Sequence, residues 1–290
     1  MIQRVTRTAR KRGTADGRSG RNNDRPSEDI YMANDPQFVA ALSHGLSILR
    51  CFTPDEPLLT NGAIARRTGM PRSSVSRLTH TLVKVGYLDY DSNSRAYRLG
   101  LSVLSLQPAA LAGTRLVENI RPHMAVLASQ LGARVLLTVY DSYGLTVVQR
   151  ACTNPDIPAP RFVGSRYGIP RRAMGRAYMA CCSSPEQEKI LLHLAQGDAQ
   201  KSAALHDEFD KAVRNYRNQG YCTSLGEGRP GNHSISVPLN LPHLGRRMLL
   251  SCGGPAERMS ERVLRDRVAP LLMRNAAEIE RTSQRLATAR

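Results

Sequence analysis

The stretch "GMPRSSVSRLTHTLVKVGY", residues 69–87, limits what this chain can fold into more than any other. Val75, Leu78, Leu82 and Val85 recur at helical spacing, so residues 71–85 are expected to form a helix with one face turned to a core. Pro71 is expected at the first helical position, where its missing N–H costs nothing, and Gly86 closes the helix. Upstream, Gly69 ends a shorter helix that carries Ile64 and Ala65 and has Thr60 as N-cap. Earlier still, Val39, Leu42, Leu46 and Leu49 form one stripe, which predicts a helix over 37–52 that Pro54 and Pro57 stop. After Gly86, Tyr87–Tyr90 and Ala96–Leu99 are short β-prone runs around the polar turn "DSNSR". Helix, helix, turn, helix, hairpin is the order of a winged helix-turn-helix, assigned to residues 37–100.

In such a unit the second helix of the pair enters the DNA major groove, its N-terminal residues first. Arg72, Ser73 and Ser74 occupy that leading turn, and Ser76 joins the DNA-facing set. Arg pairs bidentately with guanine, and Ser bonds bases or phosphate. Arg77 and Arg95, the latter at the wing tip, suit phosphates. The competing reading is an amphipathic surface helix, but three short helices followed at once by a hairpin disfavour it.

Charge agrees without locating the interface. Lys and Arg number 41 against 24 Asp and Glu, a formal net charge of +17, which favours a polyanionic partner. The excess is spread: +3 over residues 1–37, +4 over 38–100 and +10 over 101–290. Residues 1–36, rich in Arg, Gly, Ser, Asn and Asp, read as a disordered basic tail. No window reaches the ~18 consecutive apolar residues of a membrane span, and no apolar signal-peptide core opens the chain. A cytoplasmic protein with no membrane partner is expected. The six cysteines, at 51, 152, 181, 182, 222 and 252, contain no CxxC pair and read as free thiols.

Enzyme readings find little support. The seven histidines are scattered, and no GxSxG, Walker loop or dinucleotide fingerprint occurs. A Cys252–His233 dyad across two strands lacks an orienting third group. No catalytic residue, metal or cofactor is expected.

The rest of the chain, with 290 residues in all, is long enough for a second domain. Leu101–Leu106 and Val117–Leu131 read as helices broken by Pro108, with Ile120, Met124, Leu127 and Leu131 as the buried stripe of the second. "ARVLLTVYDSYGLTVVQRA" reads as a hairpin, "HSISVPL" and "RRMLLSCGG" as two more strands, and 171–182, 185–196, 206–218 and 258–286 as helices. This is an α+β layer domain around an antiparallel sheet. Its best pocket candidate is "GSRYGIPRRAMGRAYMA". There a tight loop feeds a helix near Pro170 whose free N–H groups suit an anion, with Arg171 nearby. The small or adaptable Ala173, Met174 and Gly175 either leave room for a ligand or let helix and sheet pack closely.

Several segments together resemble the IclR-type bacterial transcription regulators. They are "ALSHGLSILRCF", "IARRTGMPRSSVSRLTHTLVKVGYL", "YRLG", "VGSRYGIPRRAMGRAYMA", "YRNQGY", "ISVPL" and "LLSCGGP", in order over about 38–287. The resemblance implies a winged helix, a linker helix (101–116) and a GAF/PAS-like α/β effector-binding and oligomerisation domain (117–290). It places an effector between the loop-helix and the far strands, at Ser234, Ser251 and Gly253, with Ser224 in the preceding turn. Some members carry Cys in place of Ser234, an acidic residue in place of Ser224, or another Ser in place of Gly253. Gly253 is therefore expected to leave space for a ligand bulkier than glyoxylate. The expected protein is a homodimer or tetramer that binds a palindromic promoter site in double-stranded DNA. A small organic acid, an aromatic or short aliphatic carboxylate, controls it. The rival is an enzyme or small-molecule-binding module whose winged helix serves protein contact.

Overall fold

The structure is a computed structural model that describes residues 36–106, 109, 115–141, 144–153, 163–241 and 247–288. The expected basic tail lies outside the described residues apart from Pro36.

In the N-terminal unit, α1 (Ala40–Leu49), α2 (Asn61–Thr68) and α3 (Arg72–Lys84) are followed by the antiparallel pair β1 (Leu88–Asp91) and β2 (Ala96–Leu99). Thr60 Oγ1 accepts the Ala63 N–H at 3.3 Å, and Gly69 at φ 73° ends α2 in the left-handed conformation. Leu59 bridges to Tyr97, which ties the segment before α2 to the wing. Ile48, Cys51, Phe52, Leu59, Ile64, Ala65, Val75 and Leu88 form the core.

Four expectations change here. The stripe expected on α1 does not face this core: Val39 is 62% exposed, Leu42 63% and Leu46 46%, while Ile48 is fully buried and Leu49 only partly. The helix is also shorter than 37–52. Apolar periodicity finds a stripe but does not say which stripe a neighbouring helix covers. Pro71 is the N-cap, extended at ψ 143°, and its carbonyl takes the first helical bond, from Val75 N–H. Val85 caps α3 and is 55% exposed; the face it was expected to extend is completed by Thr79, fully buried. That hydroxyl is tolerated because it donates to the Val75 carbonyl at 2.8 Å.

After β2 the chain makes one 3-10 turn, Leu101–Val103, rather than a helix over 101–106. Of the expected linker helix over 101–116, residues 107–108 and 110–114 lie outside the described residues. The second unit opens with α4 (Arg115–Leu131), whose Ile120, Met124 and Leu127 are buried as expected. Strands β3 (Arg134–Asp141) and β4 (Gly144–Ala151) form the expected hairpin, and β5 (Arg166–Tyr167) adds to β4. Then come α5 (Ala173–Ala180), α6 (Ser184–Ala195), α7 (Ala199–Gln219), β6 (Cys222–Leu225), β7 (Asn232–Leu239) and β8 (Met248–Pro255). Helix α7 starts well before the expected residue 206, because Asp198 accepts the Lys201 N–H at 2.9 Å and caps it there. The C-terminal helix begins at Glu261 and contains a π-turn over Leu264–Val268 before α8 (Ala269–Thr288).

The six strands make one antiparallel sheet in the order β5-β4-β3-β8-β7-β6. One face packs on α4 and the C-terminal helix through Val135, Leu137, Ile235, Val237, Leu250 and Cys252. The other packs on α5, α6 and α7 through Leu136, Leu145, Val147 and Leu249. Strands β5 and β6 were not foreseen; at two and four residues they are too short to show a period.

The α1 geometry yields a discriminating prediction. Ile48→Ala should cost the N-terminal unit about 2–5 kcal/mol, whereas Leu42→Ala should stay within about 0.5 kcal/mol. Amide hydrogen exchange across residues 61–84 in the two variants checks this.

Candidate functional site

Helix α3 carries its polar side outward: Arg72, Ser73, Ser76 and Arg77 are exposed and Ser74 is half-buried. Asn61, first residue of α2, donates from Nδ2 to Ser76 Oγ at 2.9 Å and to the Arg72 carbonyl at 3.5 Å. These bonds fasten the leading end of α3 to α2. No acidic residue lies in the first turn of α3, so no side chain of that turn offsets the positive end of its dipole. Arg95 stands in the wing turn at φ 50°. That turn is held by Asp91, which accepts the Ser94 hydroxyl at 2.8 Å and the Asn93 N–H at 2.9 Å. The Ser94 bond first, and then the backbone bonds, keep the Asp91 carboxyl below the ordinary carboxylate range. Beside this surface an open groove of about 600 Å³ runs between α1 and α3, lined in part by His44, Ser74, Arg77 and His80. His44 and His80 were not among the sequence-based candidates.

In the second unit the antiparallel register decides which side chains meet. Ser224 pairs with Ser234, Ser234 with Gly253, and Gly253 with Arg134, one cross-strand row. The next row on the same face is Cys222, Ser236, Ser251 and Leu136. Helix α5 packs over β6, β7 and β8 on this side. Ser251 and Ser236 are buried and their hydroxyls lie 2.8 Å apart. Ser234 is half-buried. Ser224 sits in strand β6 rather than in a turn, and its buried hydroxyl donates to the Arg171 carbonyl at 2.7 Å.

The loop before α5 is clamped by its backbone. Helix α5 begins at Ala173, three positions after Pro170, with Arg172 as N-cap and Arg171 at φ 62°. The Arg171 N–H donates to Glu208 Oε1 at 2.6 Å, while its side chain is exposed. Arg172 lies 4.9 Å from the Tyr167 ring centroid, a cation–π contact. Arg176 joins the loop to its supports: it donates to Glu208 and Glu227, each at 3.1 Å, and to the Thr223 carbonyl at 2.7 Å. Burial alone would raise the Glu227 carboxyl. Bonds from backbone N–H groups and Arg176 outweigh it and hold that carboxyl below its ordinary range.

Two small residues have a packing role that the sequence left open. A Cβ on Gly175 would stand 1.7 Å from the Ile169 carbonyl oxygen, so Gly175 lets α5 close on its own loop. Ala173 and Met174 are buried beside it. A Cβ on Gly253 would lie 2.9 Å from the His233 carbonyl oxygen and 2.9 Å from Ser234 Cβ. Gly253 therefore lets β8 approach β7 and does not open space for a bulkier ligand, which corrects that inference. Arg134, Thr138, Arg176, Ser236 and Glu208 were missed. The signal for the first two was an arginine and a threonine four residues apart on one period-two strand, but nothing in the sequence says which face of β3 meets which helix.

None of the six cysteines is in a disulfide. Burial pushes Cys181 up to about 11 and Cys182, Cys222 and Cys252 up to about 12, so these four are thiols at neutral pH. The His233 ring is engaged by the Met259 carbonyl at 2.9 Å. No helix among the described residues is long and apolar enough to cross a membrane.

Comparison with known proteins assigns both units. The IclR helix-turn-helix domain matches residues 41–92, and the bacterial transcriptional regulator IclR C-terminal domain matches residues 108–281. The chain belongs to the IclR family. It is 30% identical over 213 residues to the Pca regulon regulatory protein of Pseudomonas putida, covering 72% of each chain. It is 25% identical over 260 residues to the p-hydroxybenzoate hydroxylase transcriptional activator of Acinetobacter baylyi, covering 87% of this chain and 94% of that one. An IclR family transcriptional regulator from Brucella abortus superposes with a TM-score of 0.76 at 33% identity, covering 86% of this chain and 94% of that one. The IclR chain is thus a ligand-responsive transcriptional regulator, a helix-turn-helix domain joined to a C-terminal α/β domain.

Within this IclR fold, Gly175→Ala should destabilise the C-terminal unit by about 1–3 kcal/mol through overpacking against Ile169. Thermal melting of the full chain, followed by a probe of the sheet domain, reads the shift.

Proposed function

We propose that α3 reads a palindromic operator in double-stranded DNA and that a small organic acid, held on the serine-bearing face of the sheet, controls the binding. The observation that carries the first half is the leading turn of α3. Arg72 and Ser73 are exposed there, the first turn itself holds no acid, and Asn61 holds the turn in place. Arg72, Ser73 and Ser74 read base edges, Ser76 assists through its Asn61 contact, and Arg77 and Arg95 hold phosphates. A two-fold site needs a two-fold protein, so the working form is a homodimer or tetramer. In this reading residues 37–100 bind DNA, 101–116 link, and 117–290 sense and oligomerise.

The effector site is assigned to Arg171, Ala173, Met174 and Gly175 on the loop-helix and to Ser224, Ser234, Ser251 and Gly253 on the sheet. The buried Ser236–Ser251 pair supports a polar ligand, since hydroxyls on a sheet face otherwise lined by Leu136 and Leu249 suit an acid's oxygen atoms. An aromatic acid is favoured: the Acinetobacter relative is named for activating a p-hydroxybenzoate hydroxylase, and Met174 and Tyr178 give this face an adaptable, ring-bearing roof.

Arg72→Ala should cost about 1–3 kcal/mol of operator binding and relax sequence preference. Arg77→Ala should weaken all duplexes alike and lower the salt slope by about one unit. Titrations of both variants against operator and scrambled duplex at several salt concentrations test the recognition helix; wild-type behaviour of both refutes it. For the effector, Ser251→Leu should abolish the calorimetric signal of any aromatic carboxylate that binds wild type. An undiminished signal would move the site elsewhere.

A further inference from the structure

We propose that Arg134 and Thr138, two residues of β3, bind the two polar ends of the effector, which is therefore an aromatic acid with a second hydrogen-bonding group across the ring from its carboxylate. The proposal rests on the effector reading above and adds residues and a ligand class to it.

Period two along β3 sends Arg134, Leu136 and Thr138 to the face that α5, α6 and α7 cover, while Val135, Leu137 and Val139 go to the other core. Along the strand this face reads cation, apolar, hydroxyl. Arg134 ends the row of Ser224, Ser234 and Gly253, Leu136 ends the row of Ser236 and Ser251, and Thr138 lies opposite Leu249 and Val147. A carboxylate, a ring and a ring hydroxyl follow the same order.

Both polar ends are buried. Arg134 is 9% exposed, with Nη2 3.5 Å from Asn232 Oδ1. Its neighbours include Tyr167, Cys152, Arg150 and Arg229, so a buried cation sits with two further arginines close by. An anion entering this corner meets positive charge in a low-dielectric setting, where Coulomb attraction is strong. Thr138 is fully buried, and its hydroxyl has no hydrogen-bond partner among the described residues. Valine has the same shape without that unsatisfied group, and a hydroxyl left unpaired in a core destabilises the fold. A ligand oxygen supplies the missing bond. Between the two ends, Leu136, Leu249, Met174 and Tyr178 belong to one apolar cluster, which gives a ring its floor and roof.

Calorimetry on the full-length chain with three probes tests this: 4-hydroxybenzoate, benzoate and 4-hydroxybenzamide. Thr138→Val should weaken 4-hydroxybenzoate about tenfold and leave benzoate within about twofold, while Thr138→Ser should keep wild-type affinity for both. Arg134→Gln should weaken both acids at least about tenfold and leave the neutral amide within about twofold. Thermal melting of each variant identifies loss of fold, and Thr138→Ser keeps the hydroxyl arm readable if Arg134→Gln melts early. Suppose Ser251→Leu abolishes binding while Thr138→Val and Arg134→Gln bind all probes like wild type. Then the site reading stands and this proposal is wrong. If no probe binds wild type, both are wrong.

Discussion

The C-terminal domain is organised around β8, the strand that lies between β3 and β7 with helices on both of its faces. Residues 248–254 are all buried. Met248, Leu250 and Cys252 belong to the core under α4 and the C-terminal helix, and Leu249 to the core under α5, α6 and α7. A shift of one residue would exchange the two sets, forcing Ser251 into an apolar core and Leu250 against Ser236. The pairing of Ser251 with Ser236 is therefore both a consequence of the register and a reason for it. Two buried hydroxyls satisfy each other only when those strands are aligned as they are.

On that sheet sits a loop-helix fixed by charge and close packing. Arg176 reaches Glu208 on α7, Glu227 in the β6–β7 turn and the Thr223 carbonyl on β6. Removing either carboxylate would leave part of a half-buried cation without its partner, which is where such networks become costly. The Arg171 backbone is held from both sides, its N–H by Glu208 and its carbonyl by Ser224. These contacts hold the side of this sheet face nearest β6. The side nearest β3 carries Arg134 and Thr138.

The N-terminal domain solves a different problem with fewer residues. Its core is small, and α3 is oriented as much by polar fastening as by burial. Asn61 links α2 to α3, and Arg67 on α2 donates to the Cys51 carbonyl at 2.7 Å, tying α2 to the end of α1. Rigid placement of the leading turn is what base reading requires, since phosphates position and base edges specify. The outer side of α1, with Val39, Leu42 and Leu46, contributes nothing to this core.

Much of this was legible in the residues themselves. Thr60, Gly69 and Gly86 mark helix ends because caps and left-handed turns are local chemistry, and the hairpins at 88–99 and 134–151 show their period in the chain. The outward set on α3 follows from helical spacing alone. The sequence left open which apolar stripe of α1 is covered, where α7 begins, and that Ser224 belongs to a strand. It also left open that Gly253 serves strand approach and that Arg134 and Thr138 share a face with Ser236 and Ser251. Each of these depends on a partner distant along the chain. Local periodicity determines which residues of an element lie together, but only the packing of other elements decides which side is buried, and only strand register decides which side chains from different strands become neighbours.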